Sequence, residues 1–84
     1  MVDIQWTTKA LRQARKLPSI EQKNIADAVS TLCGWPHVKQ VKALRGRSGY
    51  RLRVGRYRVL FTVYAGVPLV IRIEKVKRRD EHTY

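Results

Sequence analysis

Acidic residues are scarce in this 84-residue chain and absent altogether between Asp27 and Glu74. Six Asp and Glu stand against 18 Lys and Arg, a formal net charge of +12. Such a field attracts nucleic acid, an anionic membrane surface or an acidic protein. It also works against the compact state through self-repulsion, so an acidic partner would stabilise the fold. Cysteine occurs once, at Cys33, which excludes an intrachain disulfide and a Cys-rich metal site. Its apolar helical neighbours predict a small core residue in a reducing cytoplasm. No stretch approaches about 20 consecutive apolar residues, so no membrane span is expected. Met1 to Trp6 lacks the basic start and long apolar run of a secretory segment. No His/Cys/Asp/Glu cluster has metal-ligand spacing, and no glycine-rich loop opens a helix as a nucleotide site requires. Neither a metal nor another cofactor is expected.

What remains is an ordinary globular chain, 44% apolar, without repeats or low-complexity segments. Its size fits one domain over residues 1–84, with a modest core. Val2-Asp3-Ile4-Gln5-Trp6 alternates as a short strand does. Thr7 and Thr8 are helix-start residues, and Lys9 to Leu17 reads as a helix with a basic outer face of Lys9, Arg12, Arg15 and Lys16. Pro18 ends it. Ser19-Ile20-Glu21-Gln22 matches a capping box, with Ser19 as N-cap and Gln22 reaching back. The second helix runs to about Leu32, with Ile25, Ala28, Val29 and Leu32 as its stripe and Gly34 as its stop. Trp35 closes the core after it. Val41 to Leu44 is a short strand or an extended lead-in. Leu69 to Val76, apolar on both faces at its start, reads as a strand paired on both sides and covered by a helix.

The clearest pattern lies between these elements. From Tyr50 to Val54, apolar residues alternate with arginine, the period of a strand with one face inward. Gly55-Arg56 suits a two-residue hairpin turn. That turn sets Val54 opposite Tyr57, Arg53 opposite Arg58, Leu52 opposite Val59 and Tyr50 opposite Phe61. Arg51, Arg53 and Arg58 then share one sheet face, while Tyr50, Tyr57 and Phe61 fall on the core face. Like charges directly opposite each other destabilise a sheet, so three guanidinium groups together read as an anion site. The order β-α-α-β-β-β predicts an α+β domain. A helical hairpin covers one face of a small, twisted, mainly antiparallel sheet and leaves the arginine face open to a polyanion.

The ordered set of strand, helical hairpin, Leu44-Arg45-Gly46 loop, Tyr50-Arg51-Leu52-Arg53, Tyr57-Arg58-Val59-Leu60 and the tail from Lys77 to Tyr84 resembles the RelE/ParE superfamily of toxins from bacterial type II toxin–antitoxin modules. It resembles the RelE branch in particular, over essentially the whole chain. The resemblance implies an mRNA interferase that acts with the ribosome and mRNA, cleaving in the ribosomal A site, and is neutralised by an antitoxin with an acidic or amphipathic C-terminal segment. ParE-type relatives share the fold but poison DNA gyrase, and that is the alternative. By position, the family's paired basic residues on the strand after the loop fall at Arg51 and Arg53. The next arginine falls at Arg58, the one past the last strand at Arg78, and the terminal aromatic at Tyr84. The best-known members carry lysines at the paired positions, one of them a general base. Arginine is a poor base, so Arg51 and Arg53 are expected to clamp phosphate.

RNA cleavage by 2′-OH attack gives a 2′,3′-cyclic phosphate. It needs a base, an acid for the leaving 5′-oxygen and cations for the phosphorane. Arginines suit the last task, gripping phosphate oxygens through paired hydrogen bonds. His82 is the candidate acid or base, with Arg78 the alternative proton donor by family position. Tyr84 offers a stacking ring, worth about 1–3 kcal/mol per base. Lys42, Arg45, Arg47 and Arg56 are expected to contact RNA phosphates.

Overall fold

The computed structural model describes residues 1–46 and 48–78. They form β1 (Val2–Trp6), α1 (Thr8–Arg15), α2 (Ser19–Ser30), a 3₁₀ turn (Thr31–Gly34), β2 (Val41–Ala43), β3 (Tyr50–Val54), β4 (Tyr57–Tyr64) and β5 (Leu69–Arg78). The five strands make one sheet in the order β1-β5-β4-β3-β2. All pairs are antiparallel except β1 with β5, which runs parallel. The two helices pack on one face, as expected for the α+β class. Val41 to Ala43 is a true edge strand, not merely an extended lead-in.

The core follows from the alternation in the strands. Leu52, Tyr57, Val59, Phe61, Ile71, Ile73 and Val76 from the sheet meet Ala10, Ile25, Val29 and Leu32 from the helical layer. Burying each of the larger aliphatic or aromatic side chains contributes about 1.5–3 kcal/mol. Trp35 closes one end edge-on to Tyr50 and Phe61, at centroid distances of 4.8 and 5.7 Å. No polar or charged side chain is buried among the described residues.

Thr7 ties the first helix to the sheet. Its hydroxyl oxygen accepts from the Ala10 N–H at 3.1 Å and its proton goes to the Ile73 carbonyl at 2.9 Å. One side chain thus caps α1 and holds β5 just where β1 ends. Further along the same edge, Gln13 Oε1 accepts from the Val76 N–H at 2.8 Å. The expected capping box at Ser19 does not form. Pro18, with φ −55°, takes the N-cap position without a side-chain bond, and Ser19 is already helical. Proline's fixed φ sets the helix entry one residue early. Gln22 is then free to donate to the carbonyls of Leu17 (2.7 Å) and Arg15 (3.3 Å), joining the two helices. Cys33 is a second correction, because it is exposed. The tighter 3₁₀ turn changes the phase of the stripe, so Leu32 takes the buried position and Cys33 faces out.

The hairpin register is the expected one at every pair. The surprise lies in β5. Leu60 pairs with Lys75 but Phe61 pairs with Ile73, which leaves Glu74 as the extra residue of a β-bulge. The bulge inverts the alternation. Ile71 and Ile73 face the core before it and Val76 faces the core after it. Lys75 and Lys77 are consequently turned to the open face.

Candidate nucleic-acid site

Two rows of basic residues cross the open face. Lys42 on β2 pairs with Arg51 on β3, Arg51 with Leu60 on β4, and Leu60 with Lys75 on β5. One step along, Arg53 pairs with Arg58 and Arg58 with Lys77. Gln40, Val41, Lys42, Arg51, Arg53 and Arg58 line a pocket of about 330 Å³. The fold therefore brings together three of the expected catalytic positions, Arg51, Arg53 and Arg58, with one expected RNA contact, Lys42.

The rim is set by Gln40, a non-glycine residue at φ +63°. That left-handed conformation costs about 1–3 kcal/mol. In return its carbonyl accepts from the Arg53 N–H at 2.9 Å and extends the β2–β3 ladder to the pocket edge.

The electrostatics are one-sided. The ion pairs among the described residues are Lys23–Asp27 on α2 and Arg72–Glu74 on β5, at 3.1 and 3.2 Å. Neither supplies a carboxylate to Arg51, Arg53 or Arg58. Arg58 stands between two cations, and its Nε is buried with no hydrogen-bond partner. A buried donor on a charged group is expensive to leave unmatched. Guanidinium groups converging on an open hollow match the oxygens of a phosphate, which can accept from several at once.

The remaining expected residues fall elsewhere. Arg78 pairs with Tyr57, in the row that holds Val54, so its register position is on the helix side of the sheet. Lys77 stands in the Arg53–Arg58 row, and Arg78, expected just past the last strand, is that strand's final residue. Arg45 is exposed in the turn after β2. Arg56, in the hairpin turn, borders a different hollow with Glu21 and Asn24 of α2. Arg45 and Arg56 thus sit at opposite ends of β3, outside the arginine pocket. Arg47, His82 and Tyr84 lie outside the described residues. Gln40, Lys75 and Lys77 are the residues that sequence reasoning missed. The doubled polar pair Glu74-Lys75, between buried Ile73 and Val76, is the one trace of the bulge that exposes the two lysines.

No protein-family model and no curated protein matches the chain. Solved structures do. A RelBE toxin–antitoxin complex from Mycobacterium tuberculosis contains a chain 26% identical to this one, with a TM-score of 0.76 over 92% of this chain and 96% of that one. The archaeal RelE–RelB complex from Pyrococcus horikoshii gives 24% identity and a TM-score of 0.77, covering 95% and 97% of the two chains. The isolated Escherichia coli RelE toxin gives 19% identity and a TM-score of 0.77, covering 96% and 87%. A YoeB/ParE toxin from Agrobacterium tumefaciens shares the fold at 12% identity and a TM-score of 0.75, covering 90% and 96%.

Proposed function

We propose that this chain, which belongs to the RelE/ParE superfamily and has the RelE fold, is the toxin of a type II toxin–antitoxin pair and a ribosome-dependent mRNA interferase. The observation that carries this reading is the arginine pocket, whose lining includes Arg58 with its buried and unmatched Nε. In this reading the pocket receives the scissile phosphate of an mRNA held in the ribosomal A site. Arg51, Arg53 and Arg58 grip its oxygens and stabilise the charge that builds on the phosphorane. The ribose 2′-oxygen attacks phosphorus, the bond to the 5′-oxygen breaks, and a 2′,3′-cyclic phosphate remains. The proton leaves the 2′-OH for a base, and an acid returns one to the 5′-oxygen. With arginines in the pocket, His82 is the residue proposed for proton transfer, with Tyr84 as the stacking platform. Lys42 holds the strand beside the pocket, and Arg45, Arg47 and Arg56 contact phosphates further out.

The proposed partner is an antitoxin with an acidic or amphipathic C-terminal segment, drawn by the net charge of +12. Among the described residues no helix is long and apolar enough to cross a membrane, and the proposed site of action is the cytoplasm. The competing reading is a gyrase poison on the same fold. Induction in a growing bacterium separates the two. Translation should stop first, with new mRNA 5′ ends mapping inside A-site codons. DNA breaks and filamentation with intact mRNA would overturn the interferase reading in favour of the gyrase one.

A further inference from the structure

The side chains that line the arginine pocket can only donate hydrogen bonds, with one exception. Lys42, Arg51, Arg53 and Arg58 offer N–H groups and no lone pair, and Val41 offers neither. Gln40 brings an acceptor, the Oε1 of its carboxamide, together with the N–H donors of the same group. A phosphate gains nothing from that acceptor. Its oxygens are matched by the guanidinium groups, and a lone pair aimed at them repels.

Gln40 also holds a backbone that suits other residues better. Glycine or asparagine adopts a φ of +63° far more readily than glutamine does. The bond gained there, from the Arg53 N–H to the Gln40 carbonyl at 2.9 Å, is a main-chain bond that any residue would supply. The side chain is exposed, and among the described residues nothing bonds to its carboxamide. The fold therefore makes no use of the glutamine side chain, while the pocket has it in its wall. The same main-chain bond continues the Arg53–Arg58–Lys77 row to Gln40, one strand beyond Arg53. A strained residue at a pocket edge, with its polar group unspent, is placed for a ligand.

We propose that Gln40 is a specificity-determining residue that recognises the ribose 2′-hydroxyl at the cut and so selects RNA over DNA. The proposal rests on the RNA-cleaving reading of the pocket. In a productive complex the attacking oxygen lies about 3–3.5 Å from phosphorus. A phosphate held by Arg51, Arg53 and Arg58 therefore brings the 2′-hydroxyl to the pocket wall. A hydroxyl donates as well as accepts, and its proton needs a lone pair that the surrounding cations lack. Gln40 Oε1 accepts that hydrogen bond in the bound state and fixes the rotation of the hydroxyl. As the oxygen attacks, the proton passes to the base of the reaction, and the amide keeps none of it. A deoxyribose leaves the amide oxygen without its partner.

The test compares ribosomes programmed with two messages that differ only in the sugar at the cut nucleotide. On the all-ribose message, the chain concentration that gives half the maximal single-turnover rate measures binding. The message with a single 2′-deoxyribose cannot be cut, and its affinity is read as an inhibition constant against the first. The wild-type chain should bind the ribose message about tenfold more tightly, the size of one good hydrogen bond. Gln40→Met keeps the length and loses the amide, and Gln40→Gly removes the side chain and relieves the backbone. Each should bring the two affinities to within about twofold of one another, and melting temperatures check that both variants fold. Equal wild-type affinities for the two messages, or a ribose preference that survives Gln40→Gly, would overturn the role of Gln40 and leave the arginine pocket untouched. A wild-type chain that cuts no message on ribosomes would overturn the cleavage reading and this one with it.

Discussion

Replacing Arg58 by methionine should make the domain more stable and inactive. The side chain is flanked by Arg53 on one strand and Lys77 on the other, and its Nε is buried without a partner. Directly opposed like charges cost roughly 0.2–1 kcal/mol each, and an unmatched buried donor costs about 1–3 kcal/mol. Methionine keeps the apolar stem that packs on the sheet and removes the charge. Discounting for the partial exposure of Arg58, the expected gain is about 1–2 kcal/mol, at low salt where repulsion is least screened. For a domain of this size that raises the melting temperature by roughly 5–15 °C. Circular dichroism melts of both proteins, with and without inorganic phosphate, give the comparison. Phosphate should stabilise the wild type by mass action on its bound form and do much less for Arg58→Met. Cleavage on ribosomes should drop about 10²–10³-fold, the scale of losing one fixed donor to a transition-state oxyanion. A variant that melts lower than wild type, or one that keeps full cleavage, would refute the reasoning that Arg58 is held under strain for an anion.

Two further substitutions test the fold. Thr7→Ala should cost about 1–2 kcal/mol in urea unfolding, because the hydroxyl both caps α1 and bonds to β5, whereas Ser19→Ala should change stability by less than about 0.5 kcal/mol since Ser19 makes no cap. Equal effects at the two sites would contradict the helix starts described here. Phe61→Ala should cost about 3–5 kcal/mol, enough to leave a domain this small largely unfolded, as a lost cooperative transition on heating would show.

The hairpin was legible in the sequence because two independent signals agreed. The alternation from Tyr50 to Val54 fixed the faces, and Gly55-Arg56 fixed the register. The core face of Tyr57, Val59 and Phe61 followed from parity alone. In β5 parity misled, because the bulge at Glu74 breaks the count where no glycine or proline marks it. Lys75 and Lys77 went unnoticed, and Arg78, assigned by family position just past a strand expected to end at Val76, is instead the last residue of that strand. Gln40 gave no warning either, since glutamine carries no particular tolerance for a left-handed backbone. The capping box at Ser19 is a true local match, overruled by the proline before it and by carbonyls that Gln22 reaches on the neighbouring helix. Cys33 was misplaced by extending a 3.6-residue period into a 3₁₀ turn.

The parallel pairing of β1 with β5 has a consequence for when this domain can exist. Val2 finds its partner at Leu69 and Trp6 finds its partner at Ile73. The first strand made thus waits for the last, and the helices have no complete sheet to cover until both are present. Contacts so distant in sequence form late and cooperatively. A nascent chain leaving the tunnel passes through a period in which β1 and the helices are exposed without their sheet. The arginine pocket, whose strands depend on β5 for their second edge, is assembled only after β5 has emerged. The fold and its basic face are therefore completed together, by the arrival of one strand.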